Sequence, residues 1–316
     1  MSRETGDARI WAIVALSEVE MLSRALSFDT VAHSYHNRRP RYPVGLYNDL
    51  LKIVPLRPGA RILDVGAGSG IATLPLAARG FEVVALEPGP ALAALARRNL
   101  SRHPNAVVHR VSFERARLAN SSFSMIVSAT AWHWVDPLRG PAIAARVLPP
   151  GGSLALWWMG FATIADSFAI QCGKITRSWV SSAAASAHGS QWASLATPCG
   201  PGRSLSSCRA GDIDAHPDFH KVDQRRYLTT HDFDADSYVQ LLGTYADFVL
   251  LPAHLQSGLY ADIRRLINEH FAGKVTRTFV TTLYVWRRRR RADETRQIAG
   301  LDARRSKLYS DTEGGS

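Results

Sequence analysis

Apolar and polar positions along this chain change period in a way that marks out an alternating series of strands and helices. Arg61 to Val65 (RILDV) is a short apolar run that breaks into Gly66, Gly68 and Gly70. Ile71 to Arg79 then carries apolar residues at Ile71, Leu74 and Ala78, a helical spacing. Glu82 to Leu86 (EVVAL) is a second apolar run with Glu87 at its end, and Pro90 opens an alanine-rich helix to about Leu100. Val107 to Val111, Met125 to Ala129 and Ser153 to Trp158 give three more strands, the last after the turn Pro149, Pro150, Gly151, Gly152. Parallel strands need crossover connections, so this alternation predicts a parallel sheet buried on both faces.

The flanks read differently. A helix is expected over Val44 to Ile53, after a polar and aromatic stretch from Ser27 to Pro43. Gly160 to Gly211 is rich in Ser and Ala and holds the breaker cluster Pro198, Gly200, Pro201, Gly202. A β-like run follows at Lys221 to Leu228, then helical stretches at Ala235 to Ala246 and His254 to Phe271, then the β-branched and aromatic run Val275 to Trp286. Two strands flanking helices at the end of an α/β sheet imply an added, partly antiparallel edge. The expected organisation is an N-terminal extension over 1–27, a core over 28–159, a divergent lid or insert over 160–211 that is loosely ordered, the remainder of the fold over 212–286, and a basic disordered tail over 287–316.

Length and composition narrow the function classes. The chain has 316 residues, 46% hydrophobic and 21% charged, enough to bury a substantial core. No apolar run reaches the roughly 18 to 20 residues that cross a bilayer, and Met1 to Leu26 has no signal-peptide pattern, so a soluble, cytoplasmic protein is expected. Cys172, Cys199 and Cys208 are odd in number and lack CxxC spacing, which indicates free thiols and no metal site. The net charge of +11 raises nucleic acid or an anionic surface as partners, but the segment from Arg287 onward supplies +4 of it and the rest is spread thinly. Arg287 to Arg291 therefore reads as a solvated terminus, and neither nucleic acid nor membrane is expected as a partner.

Candidate chemistry is concentrated at the strand ends. Glycines after the first strand remove the β-carbons that keep a ligand from the backbone, and in open α/β sheets ligands lie beyond the carboxyl ends of the strands. Asp64 and Glu87 both fall there, and Glu87 can accept hydrogen bonds from two ribose hydroxyls. A dinucleotide site calls for GxGxxG, whereas this chain has GxGxG with Ile71 where the last glycine would stand. A glycine turn without any ligand is the bland alternative.

Several segments together resemble the class I S-adenosylmethionine-dependent methyltransferases, in particular the bacterial small-molecule group with a methyltransferase type 11-like core. They are LDVGAGSG (Leu63 to Gly70), VVALEPGP (Val83 to Pro90), SFE (Ser112 to Glu114), AWHWVDP (Ala131 to Pro137) and LPPGGSLALWW (Leu148 to Trp158). Tyr35, Arg39, Pro40, Tyr42 and Pro43 reproduce the YxxxRPxYP pattern that precedes this core, and Ser237 to Pro252 and Val275 to Val285 look like its C-terminal portion.

The resemblance implies a doubly wound, Rossmann-like, seven-stranded, mostly parallel α/β sheet with an antiparallel C-terminal edge strand. It implies methyl transfer from S-adenosyl-L-methionine to an O, N or C atom of a small molecule. Asp64, Gly66, Ala67, Gly68 and Gly70 would hold the methionyl end of the cofactor, Glu87 the ribose, and Phe113 and Glu114 the adenine. Ser128, Ala129 and Thr130 would line the sulfonium side. Tyr35 and Arg39 would close over the cofactor, with a structural cap as the alternative, and His133 between Trp132 and Trp134 is a candidate general base or a packed pocket wall. The family's Trp-rich lid has no counterpart over Met159 to Arg209, so a non-catalytic cofactor-binding or scaffold protein is the rival reading. An NAD-dependent oxidoreductase and a nucleic-acid binder are further alternatives.

Overall fold

The computed structural model describes residues 26–162, 166–184 and 205–290. Their strands form one seven-stranded sheet of order β3-β2-β1-β4-β5-β7-β6. The strands are β1 (Arg61–Val65), β2 (Glu82–Leu86), β3 (Ala106–His109), β4 (Met125–Ala129), β5 (Ser153–Phe161), β6 (Phe219–Asp234) and β7 (Lys274–Arg288). The first five run parallel, and β7 pairs antiparallel with both β5 and β6. Chain order reverses at β1, with β2 on one side and β4 on the other, so a crevice opens above the carboxyl end of β1.

The helices are α1 (Ala32–Arg38), α2 (Val44–Ile53), α3 (Thr73–Ala77), α4 (Pro90–Asn99), α5 (Arg139–Val147), α6 (Ser167–Ala184), α7 (Leu205–Asp214), α8 (Ala235–Leu242), α9 (Ala246–Val249) and α10 (Ala253–His270). Short 3-10 turns sit at Ser27–Val31, Phe113–Arg115 and Trp132–Trp134. Alternate residues of each strand feed separate cores, as the period of two requires. Ile62, Val127, Ala155, Trp157 and Leu283 pack with α2 and α3 on one face. Leu63, Ile126, Leu156, Trp158 and Trp286 pack with α5 and α7 on the other.

β6 and β7 are 16 and 15 residues long, and the pairing of β5 with β7 ends at Phe161 opposite Phe279. The pairs from Thr230 with Thr278 to Asp234 with Lys274 therefore overhang the sheet on the crevice side. At about 3.4 Å per residue the overhang is roughly 17 Å. A third core forms on it, where Phe168 and Cys172 of α6, Tyr238 and Leu241 of α8, and Leu259 and Ile263 of α10 meet Phe279. Cys172 is a buried free thiol.

Several sequence expectations are refined. The helix expected over 71–79 is regular only over Thr73–Ala77, with turns at both ends, and the third strand ends at His109. The Ser/Ala-rich stretch is not wholly irregular, because α6 and most of α7 fall within it; the breaker cluster at 198–202 lies outside the described residues, as do residues 1–25 and Cys199. Arg287 to Arg289 are not a free tail. Arg287 Nη2 donates to Ile53 O at the end of α2, Arg288 Nη1 to Leu148 O at the end of α5, and Arg289 Nε to Phe219 O. Helix C-termini expose unpaired carbonyls at the negative end of the dipole, so guanidinium groups are drawn there. Arg291 and the rest of the expected tail lie outside the described residues. Among those described, no helix is long and apolar enough to cross a membrane.

Candidate active site

The turn after β1 is fixed to the end of β2 by backbone bonds from Gly66 N and Ala67 N to Leu86 O, at 2.9 and 3.0 Å. Gly66, Gly68 and Gly70 all have positive φ, which a residue with a β-carbon adopts only at a cost. At Gly66 a β-carbon would also come within 2.4 Å of Ala131 Cβ, so the floor of the crevice admits nothing larger. Glu87, only 6% exposed, bridges two turns: its Oε2 accepts from Gly68 N and its Oε1 from Gly89 N, each at 2.8 Å. Each oxygen keeps a further acceptor position. Burial, and the charges of Asp29 and Asp64, push this carboxyl up to about 7 against the pull of the two N–H groups.

The crevice is shallow and partly open to solvent. Gly66, Ala67 and Ile71 form its floor, Ala129, Thr130 and Met159 one wall, and Tyr35, Arg39 and Tyr42 its cover. The cover is held by long-range bonds. His36 Nδ1 lies 2.9 Å from Ser69 Oγ, and Asn99 Nδ2 donates to Ser69 O at 2.8 Å. Asp29 Oδ1 accepts from Leu92 N at 2.8 Å, capping the start of α4 from outside its own segment. Arg39 donates through Nε and Nη2 to Thr244 Oγ1 and O, and its guanidinium stands 3.7 Å over the Tyr245 ring. Those bonds are the cap reading of Arg39, and the same side chain lines the crevice.

Thr130 has φ of 54°, an unusual value for a β-branched residue. Three bonds hold it there: its N–H donates to Trp157 O at 2.7 Å, its Oγ1 accepts from Met159 N at 3.3 Å, and the Tyr42 hydroxyl lies 3.0 Å from that oxygen. The kink carries Ala131 over Gly66. The Tyr42 phenol is held well above its usual range by burial and by Tyr35 and Asp64, so it stays a neutral hydroxyl.

The remaining sequence candidates are not among the residues that line the crevice. Asp64 is fully buried; its Oδ2 accepts from Thr73 Oγ1 at 2.6 Å and its Oδ1 has no partner among the described residues. Burial lifts it to about 6. The alternation along β1 turns Asp64, with Ile62, toward α2 and α3, where it supports the glycine turn from below. Ser128 is fully buried and donates to Val65 O at 2.7 Å. Phe113, 3% exposed, packs against Trp132 with ring centres 5.6 Å apart, and Glu114 Oε1 accepts from Asp136 N. His133 Nδ1 accepts from Trp158 Nε1 at 3.2 Å, and burial with the charges of Arg209 and Arg39 pushes the imidazole down to about 3.

Sequence reasoning missed Asp29, His36, Asn99, Met159 and Thr244. Their partners lie up to 205 positions away, as with Arg39 and Thr244, and no local pattern encodes such pairings.

Residues 63–156 match the methyltransferase type 11 family model, described as a methyltransferase domain. The chain is 39% identical over 134 residues to an uncharacterized methyltransferase of Mycobacterium tuberculosis, a match covering 42% of this chain and 52% of that protein. It is 30% identical over 146 residues to the ubiquinone biosynthesis O-methyltransferase of Hahella chejuensis, covering 42% and 59%. The chain spans about half the length of the curated relatives it matches. A solved structure from Anaeromyxobacter dehalogenans, described as a candidate type II methyltransferase, superposes with a TM-score of 0.55 at 25% identity, over 79% of this chain and 97% of that one.

Proposed function

We propose, from the premise that residues 63–156 are a methyltransferase domain, that this chain transfers a methyl group from S-adenosyl-L-methionine to an O, N or C atom of a small-molecule acceptor. The observation that carries the reading is Glu87 bridging Gly68 and Gly89 at the mouth of a glycine turn too tight for any β-carbon at Gly66. Its two carboxylate oxygens retain acceptor positions that suit the vicinal hydroxyls of a ribose. The positive-φ turn lets a ligand approach the backbone, and the Arg39 guanidinium offers a cation for the methionyl carboxylate.

The cofactor supplies a methyl group already activated on a sulfonium, so the protein's share is placement and exclusion of water. Tyr35, Arg39 and Tyr42 cover the crevice from above. Thr130 and Met159 form the wall an acceptor would meet, and Tyr42 remains protonated there. The homologue from Saccharomyces cerevisiae described as a candidate S-adenosylmethionine-dependent methyltransferase, 28% identical over 130 residues, supports the choice of cofactor.

The test is thermal denaturation with S-adenosylhomocysteine. A ligand at a hundred times its Kd stabilises by about 2.7 kcal/mol, so a rise of several degrees in Tm is expected. Gly68→Val, which places a branched side chain at φ of 58°, should abolish it. No shift at millimolar ligand would overturn the proposal. Incubation with isotopically labelled S-adenosylmethionine and a panel of alcohols, phenols, amines and carboxylic acids identifies the acceptor.

A further inference from the structure

His133 stands on the turn Trp132–Trp134 between β4 and α5, and its surroundings determine which ring nitrogen bears the proton. An indole N–H can only donate, so the bond from Trp158 Nε1 requires a lone pair on His133 Nδ1. In the neutral ring the single proton then resides on Nε2. That nitrogen has no partner among the described residues and is not one of their buried unpartnered atoms, so it faces accessible space.

The neighbours give this donor a setting. The imidazole lies against Trp134 at 4.6 Å, Trp134 meets Phe28 at 5.9 Å, and Phe28 meets Tyr35 on the crevice cover at 6.0 Å. Arg209 of α7 approaches the His133 carbonyl at 3.5 Å and is paired with Asp212 at 3.1 Å. Arg39 and Arg209 both lie close enough to oppose a positive charge on the ring.

We propose that His133 is not a general base but a locked Nε2–H donor, oriented by Trp158, that recognises a carboxylate on an aromatic acceptor. The inference rests on the methyltransferase reading and deepens it. A carboxylate only accepts hydrogen bonds, which suits an N–H donor with the Arg209 guanidinium close to the same residue; an alcohol or amine would bring its own proton into that field. The rings of Trp134, Phe28 and Tyr35 provide stacking and edge contacts for an aromatic body. Trp158 acts through His133 and is a positioning residue.

The experiment uses the full chain with 15N-labelled histidine, benzoate as probe and benzamide as its neutral control. Without other ligands, the His133 ring should show the Nε2–H tautomer from pH 5.5 to 8 with no titration step, and Trp158→Phe should populate both tautomers. With the protein saturated in S-adenosylhomocysteine, benzoate should shift the Nε2–H resonance and bind at least tenfold more tightly than benzamide. His133→Phe should remove that preference while S-adenosylhomocysteine still binds, which confirms that the variant is folded. A His133 titration between pH 6 and 7 overturns the donor assignment. Equal binding of benzoate and benzamide, or a preference that survives His133→Phe, overturns the carboxylate assignment. Failure of the wild-type chain to bind S-adenosylhomocysteine overturns the methyltransferase reading instead, and the ligand-free tautomer measurement separates the two.

Discussion

Replacing Glu87 with glutamine isolates the electrostatics of the crevice. Burial lifts the Glu87 carboxyl from its ordinary 4.5 to about 7, and the side chain is shielded enough that solvent screening is minor. At 1.36 kcal/mol per pH unit, holding the ionised form in the folded protein costs about 3 kcal/mol. The folded-state value lies above the unfolded one, so this group's stabilising contribution is fully present below pH 4.5 and is lost as the pH rises through 7. Between pH 6 and pH 8 the loss is about 1.4 kcal/mol.

Glu87→Gln cannot ionise and should lack that slope. Its absolute stability at pH 8 should fall within about 2 kcal/mol of wild type, because relief from burying a charge is offset by an amide N–H facing the N–H of Gly68 or Gly89. Urea unfolding of both proteins at pH 6, 7 and 8 measures the difference, and subtraction cancels the parallel contribution of Asp64, lifted to about 6. Binding should respond in the opposite direction. If two ribose hydroxyls need the carboxylate, S-adenosylhomocysteine affinity should fall roughly tenfold per pH unit below 7 in the wild type, and should be weak and pH-independent in the variant. Identical pH slopes of stability in the two proteins would refute the reasoning, whatever the binding data show.

Three further outcomes are expected. Gly66→Ala would place a β-carbon 2.4 Å from Ala131 at φ of 71° and should cost about 2 to 4 kcal/mol in urea unfolding, with S-adenosylhomocysteine binding lost. Gly258→Ala, where a β-carbon would stand 2.2 Å from Trp179, should displace α6 from α10, cost about 1 to 3 kcal/mol and shift Trp fluorescence; an unchanged spectrum and Tm would contradict the packing. Arg288→Ala removes the guanidinium from the end of α5 and should lower stability by about 1 kcal/mol in urea unfolding, whereas a solvated arginine would show no change.

The glycine turn and Glu87 were readable because their geometry is local. A run of strand residues, glycines at three positive-φ positions and a carboxylate one residue beyond the next strand all leave their mark within a few positions. The burial of Asp64 and Ser128 follows from the same pattern. Side chains alternate along a strand, and both residues point into the sheet's packed faces and not over its end. His133 was open between base and wall, and only Trp158, 25 residues on, supplies the donor that decides its tautomer.

By itself, then, the order of residues determined the parallel α/β core, the place of the crevice and the acid that braces its glycine turn, because strand and helix periods, turn glycines and crossover rules act over short stretches. Three things were decided only in the folded molecule. The N-terminal segment covers the crevice through Asp29, His36 and Tyr42; the antiparallel pair of β6 and β7 overhangs the sheet on the same side; and the arginines at the end of β7 cap α2 and α5. Each depends on which groups with unmet hydrogen bonds come within reach when distant segments are packed together, and that reach is set by the tertiary arrangement.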